Sequence, residues 1–75
     1  MQGLYAEAAT RRAGLRFKAG DLESAAAVAR AGLAVDRYRD ELWKLLIEVA
    51  ERAGNHAEAE QARRGYEAVL TELGV

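Results

Sequence analysis

Ala19-Gly20-Asp21-Leu22-Glu23-Ser24-Ala25 and Ala53-Gly54-Asn55-His56-Ala57-Glu58-Ala59 are two versions of one turn, 34 residues apart. Alanine aligns with alanine at both ends, glycine with glycine, and aspartate with asparagine. Each block reads as the end of one helix and the start of the next. Glycine adopts the left-handed conformation that closes a helix because it has no Cβ to clash there. Asp21 and Asn55 stand where a short polar side chain caps the following helix, and Asn55 with Glu58 has the spacing of a capping box. Ala25 and Ala59 are small enough for the paired helices to approach closely.

Outward from these turns the hydrophobic pattern is helical. Leu42, Leu45, Leu46, Val49, Ala50 and Ala53 form an i, i+3, i+4, i+7 stripe, and Trp43 with Ile47 adds a second face, so this helix is expected to pack on two sides. Leu22, Ala25, Ala26, Ala29 and Leu33 make a similar stripe, with Val28 and Val35 alongside. Ala59, Ala62, Tyr66, Val69 and Leu73 alternate spacings of three and four, which presents a narrow seam. The first segment is weaker: Leu4, Tyr5, Ala8, Ala9, Ala13 and Phe17 are interrupted by charges and by Gly3 and Gly14. Four helices are predicted, over 3–18, 22–34, 39–53 and 56–72. No run of alternating β-branched residues supports a strand. The expected class is all-α, a single domain over 1–75 with one repeat at about 3–36 and the second at about 37–73.

Bulk properties narrow the function. Seventy-five residues make one domain at most, near the size where a single core only just outweighs the entropy of folding. With 51% apolar and 31% charged residues the chain lies well away from the signature of disorder. There is no cysteine, hence no disulfide framework and no thiolate metal site. No apolar run reaches membrane-span length and no secretory leader is apparent, so a cytoplasmic setting is expected. The net charge of −1 argues against a broad nucleic-acid surface. The one basic cluster is Arg11, Arg12, Arg16 and Lys18, which invites a direct nucleic-acid reading and is otherwise a solvated helix face.

A 34-residue unit of two helices around a glycine turn has the period of the tetratricopeptide repeat, which the chain resembles at Trp43, Leu46, Gly54 and Ala59 and at Gly20, Asp21, Ala25 and Leu33. It departs from that pattern where Arg37 follows Asp36 in place of proline. Across nearly its whole length the chain also resembles the bacterial transcriptional activator domain of actinobacterial regulators. The resemblance rests on Ala19-Gly20-Asp21, Leu33-Ala34-Val35-Asp36, Asp40-Glu41-Leu42-Trp43, Ala53-Gly54, Glu58-Ala59, Tyr66 and the closing Leu70-Thr71-Glu72-Leu73-Gly74-Val75. It implies two tetratricopeptide-like hairpins, a regulatory or dimerising role, and DNA contact only through a neighbouring domain outside these 75 residues. A tetratricopeptide adaptor unconnected with transcription is the alternative.

Chemistry-bearing constellations are missing from the sequence. His56 is the only histidine and Ser24 the only serine, with nothing beside them to make a metal site or an activated nucleophile. The seven glycines are scattered and form no phosphate loop. Glu7 with Arg11, Glu48 with Arg52 and Glu60 with Arg64 have the i, i+4 spacing of exposed ion pairs. No enzymatic activity, cofactor, metal or small-molecule ligand is therefore expected. In stacked repeats the first helix of each pair lines the concave surface. That face would carry Lys44, Glu48 and Arg52, with Phe17 expected in the core. Because repeats bury their faces on neighbours, the last helix, with Tyr66, Val69, Leu70 and Leu73, is the other candidate interface. The expected partner is another protein or a second copy of the chain.

Overall fold

The computed structural model describes the backbone of residues 2–74 and the side chains of residues 7–74; Val75 and the side chains of Leu4 and Tyr5 lie outside this range. Four helices account for it: α1 (Gln2–Lys18), α2 (Leu22–Val35), α3 (Asp40–Arg52) and α4 (His56–Leu73). There is no strand among the described residues. Helix α3 is one residue shorter at each end than its hydrophobic stripe suggests. Arg39 takes an extended conformation at the N-cap, and Ala53 is already the C-cap of the turn that closes on Gly54.

The two turns match hydrogen bond for hydrogen bond. Asp21 N–H donates to the Arg16 carbonyl and Gly20 N–H to Phe17; 34 residues on, Asn55 N–H donates to Ala50 and Gly54 N–H to Glu51. This is the Schellman closure of a helix, and it places Gly20 and Gly54 at φ +83° and +73°. On the far side, Asp21 accepts from Ser24 N–H at 3.2 Å and Asn55 from Glu58 N–H at 3.1 Å. The expected capping box forms only in its first half. The Asn55 backbone N–H is spent on Ala50, so the Glu58 carboxylate accepts from the Asn55 side-chain amide at 2.8 Å instead. Asn55→Ala removes both side-chain bonds, and thermal denaturation should show a loss of about 1 kcal/mol.

α1 packs on α2 and α3 on α4; α3 also meets α2 and α1, whereas α4 has α3 as its only close backbone neighbour. The buried residues are mostly alanines: Ala9, Ala13, Ala25, Ala26, Ala29, Ala50, Ala59 and Ala62, joined by Leu33, Leu42, Val49 and Val69. An alanine core draws helix axes together, so the few larger side chains fill what space remains. Two of these are neighbours at the start of α3 and point to different flanks. Leu42 enters α2 at Gly32, where an added Cβ would lie 2.6 Å from Leu42 Cδ1 and 2.9 Å from Ala9 Cβ. Trp43 lies against α4 at Gly65, where a Cβ would lie 2.7 Å from the ring. The indole N–H is satisfied by the Arg37 carbonyl at 2.7 Å.

The α2–α3 connection is held from α4. Asp36 ends α2 and accepts from Tyr38 N–H at 3.2 Å. Glu72 receives both the Tyr38 hydroxyl, at 3.0 Å, and the Arg37 guanidinium, at 2.9 Å. Arg37, which stands where the repeat pattern has proline, thus fixes the loop through its charge and through its carbonyl.

Candidate functional site

Three helix surfaces and one crevice compete for a role. The first is the end of α4 singled out by its hydrophobic seam. Val69 is fully buried within the chain, Tyr66 and Leu70 are half-buried, and Leu73 is 53% exposed. Gly74 closes α4 at φ +75°, its N–H shared between the Leu70 and Thr71 carbonyls.

The second is the surface of α3. Tyr66 and Lys44 come together here, on one carboxylate: the Tyr66 hydroxyl donates to Asp40, and the Lys44 ammonium pairs with the same group at 3.0 Å. The Tyr66 hydrogen bond, aided by Lys44, holds the Asp40 carboxyl below its ordinary value, and bonding to Asp40 raises both Tyr66 and Lys44. A carboxyl lowered by folding adds stability above its unfolded pKa of about 4 and loses that contribution as pH falls through the lower folded value. The melting-temperature gap between the protein and Asp40→Asn should accordingly be open at neutral pH and close as the pH is taken from about 4 downward. Asp40 was not legible as a hub because its partner lies 26 residues away on another helix. Glu48 is exposed, and Arg52, rather than pairing with it, lies over the Phe17 ring at 5.0 Å. Of the three expected i, i+4 pairs only Glu60–Arg64 is made, at 3.3 Å. Phe17 is half-buried against Ala25, Ala26 and Val49, as expected of a core residue.

Between α2 and α4, two adjoining depressions of about 330 and 420 Å³ share Arg30, Leu46, Ala50 and Glu58 in their walls. Together they form a crevice floored by the apolar face of α3. The Arg30–Glu58 ion pair links the two helices across it.

The third surface emerges from comparing positions 34 residues apart. α3 lays Leu42, Leu45, Leu46 and Val49 against Ala25, Ala26, Ala29 and Leu33 of α2. Carried forward, the α2 positions 25, 26, 29 and 33 become the buried Ala59 and then Glu60, Arg63 and Glu67 on α4, and Arg63 is tied to Glu51. The edge beyond α4 is thus largely charged. Carried back, the α3 positions 42, 45, 46, 49 and 50 become Ala8, Arg11, Arg12, Leu15 and Arg16 of α1, and the C-cap Ala53 becomes Ala19 just beyond the end of α1, all exposed. Leu15 is 61% exposed, more than any other large apolar side chain described. The sequence stripe did not expose it; the 34-residue comparison, which sets it opposite buried Val49, would have.

The cations divide the same way. Arg30, Arg37, Arg39, Lys44, Arg63 and Arg64 are each in an ion pair, and Arg52 sits on Phe17. Among the described residues, Arg11, Arg12, Arg16 and Lys18 form no ion pair, and all four are exposed on α1.

Compared with family models, curated proteins and solved structures, the chain matches none. Among the described residues no helix is long and apolar enough to cross a membrane, and no three His, Cys, Asp or Glu side chains gather as a metal site would require.

Proposed function

We propose that the chain is a non-catalytic protein-interaction module of two tetratricopeptide-like hairpins, serving in the cytoplasm as the interaction or dimerisation part of a bacterial transcriptional regulator. The observation that carries the architectural half is the identity of the two turns: the same backbone bonds, the same left-handed glycine and the same side-chain cap recur at a 34-residue offset. The packing of α3 on both α1 and α2 agrees with stacked repeats, in which each unit buries its apolar face on the next. The regulatory half rests on the resemblance to the bacterial transcriptional activator domain, including the Glu72-Leu73-Gly74 ending that closes α4. A binding role also fits the distribution of charge, which leaves one helix face with cations in no ion pair among the described residues.

Affinity capture tests this reading. The immobilised chain should retain a defined protein, or a second copy of itself, from an actinobacterial lysate in near-stoichiometric amount after nuclease treatment. Retention that disappears with nuclease would contradict it. A captured protein belonging to the transcription machinery supports the regulatory half, and one belonging to an unrelated assembly favours the free-standing adaptor.

A further inference from the structure

We infer that the outer face of α1 is a docking seat for an acidic helix of a partner protein, which packs on it as α2 packs on α3. This rests on the protein-interaction reading and assigns that role to a surface and to a partner chemistry.

The geometry of the seat is set by the repeat. Helix α3 receives α2 along Leu42, Leu45, Leu46 and Val49. The same positions on α1 are Ala8, Arg11, Arg12 and Leu15, followed by Arg16 and, in the turn beyond the helix, Ala19, and none of the described residues covers them. α1 has 17 residues, about 25 Å of axis, enough for a helix to lie along it for several turns. The small and apolar members of this face suit close helix contact: Ala8 on α1 and Ala19 in the turn just past it, with Leu15 between them.

The charges specify the occupant. Where α3 offers Leu45 and Leu46 to the alanines of α2, with Ala50 beside them in sequence, α1 offers three guanidinium groups. Guanidinium groups are matched by carboxylates, which accept two hydrogen bonds from the planar fork. A complementary helix therefore carries glutamates or aspartates opposite Arg11, Arg12 and Arg16 and a small apolar residue opposite Leu15. Duplex DNA is the less suitable occupant. Every other cation of the described chain is held by a carboxylate or an aromatic ring, so the positive strip stops at one helix, whereas backbone binding draws on many phosphate contacts.

Fluorescence anisotropy decides the matter. The probe is a labelled, hydrocarbon-stapled alanine-leucine helix with glutamates along one face, run beside its lysine counterpart and a labelled DNA duplex. The protein should bind the glutamate helix in preference to both. Charge reversal at Arg11, Arg12 and Arg16 should weaken that binding by about tenfold or more, and the reversed protein should gain affinity for the lysine helix. Leu15→Ala should weaken the glutamate helix several-fold, which charge attraction alone would not produce. These side chains are exposed, so circular dichroism should report unchanged helix content; if charge reversal unfolds the chain, Arg→Gln substitutions at the same sites carry the test. Preference for DNA, indifference to the arginine substitutions, or indifference to Leu15→Ala would each overturn the assignment. If lysate capture succeeds while the glutamate helix fails, the interaction reading stands and this surface is the wrong one.

Discussion

Leu42→Ala is expected to remove most of the stability of the fold. Leu42 is fully buried and lies where α3 enters the gap between α2 and α1, packed with Ala13, Ala29 and Leu33. Truncating a buried leucine costs about 2–5 kcal/mol, the upper part of the range applying where the surroundings cannot collapse into the cavity. Collapse is hindered here because Ala13, Ala29 and the adjoining Gly32 carry no side chain long enough to reach into the space. A domain of this size has only a few kcal/mol of net stability. Urea denaturation followed by circular dichroism should show a variant partly unfolded without denaturant. A midpoint unchanged from the parent would mean that Leu42 is not the wedge between the helix pairs.

Gly32→Ala should be the next most damaging substitution, although alanine is the better helix former. The new methyl group would lie 2.6 Å from Leu42 Cδ1 and 2.9 Å from Ala9 Cβ. A leucine end can swing aside, but the Cβ of Ala9 moves only with the backbone of α1. Overpacking of this kind costs about 1–3 kcal/mol, against a propensity gain of about 1 kcal/mol. Gly14→Ala is the internal control: it is also mid-helix, and a Cβ there meets nothing within 4 Å. It should raise the melting temperature while Gly32→Ala lowers it. Movement of both in the same direction would show that propensity, not the α1–α2–α3 contact, sets the response.

The fold was readable because its signals are local. The two glycine turns, their caps and the stripe on α3 each depend on residues a few positions apart, and all four helices fall where the pattern places them. The bounds of α3 were less accessible, since they depend on how Arg39 and Ala53 enter the loops rather than on periodicity. Side-chain pairing was legible only in part. Glu60 and Arg64 meet as their spacing suggests, but Arg52 leaves Glu48 for the Phe17 ring, and Asp40 takes Tyr66 of α4 in addition to Lys44 one turn along its own helix. Such choices follow from which helices adjoin, which spacing along one helix does not contain.

The candidate interface shows the same division. Repeat number directed attention to α4, whose seam includes Val69, yet that side chain is buried inside the chain, and three of the four 34-residue equivalents of the α2 packing face are charged on α4. The opposite edge carries the exposed Leu15 amid arginines that find no carboxylate among the described residues. Sequence alone supplied the arginines. The structure supplied their shared face and its equivalence to the apolar side of α3.

The most direct test is a backbone amide chemical-shift map of the isotopically labelled chain titrated with the glutamate helix. The largest shifts should fall along Ala8, Arg11, Arg12, Leu15, Arg16 and Ala19. Shifts centred instead on the α2–α4 crevice, at Arg30, Leu46, Ala50 and Gln61, or on Leu70 and Leu73 at the end of α4, would contradict the placement of the interface on α1.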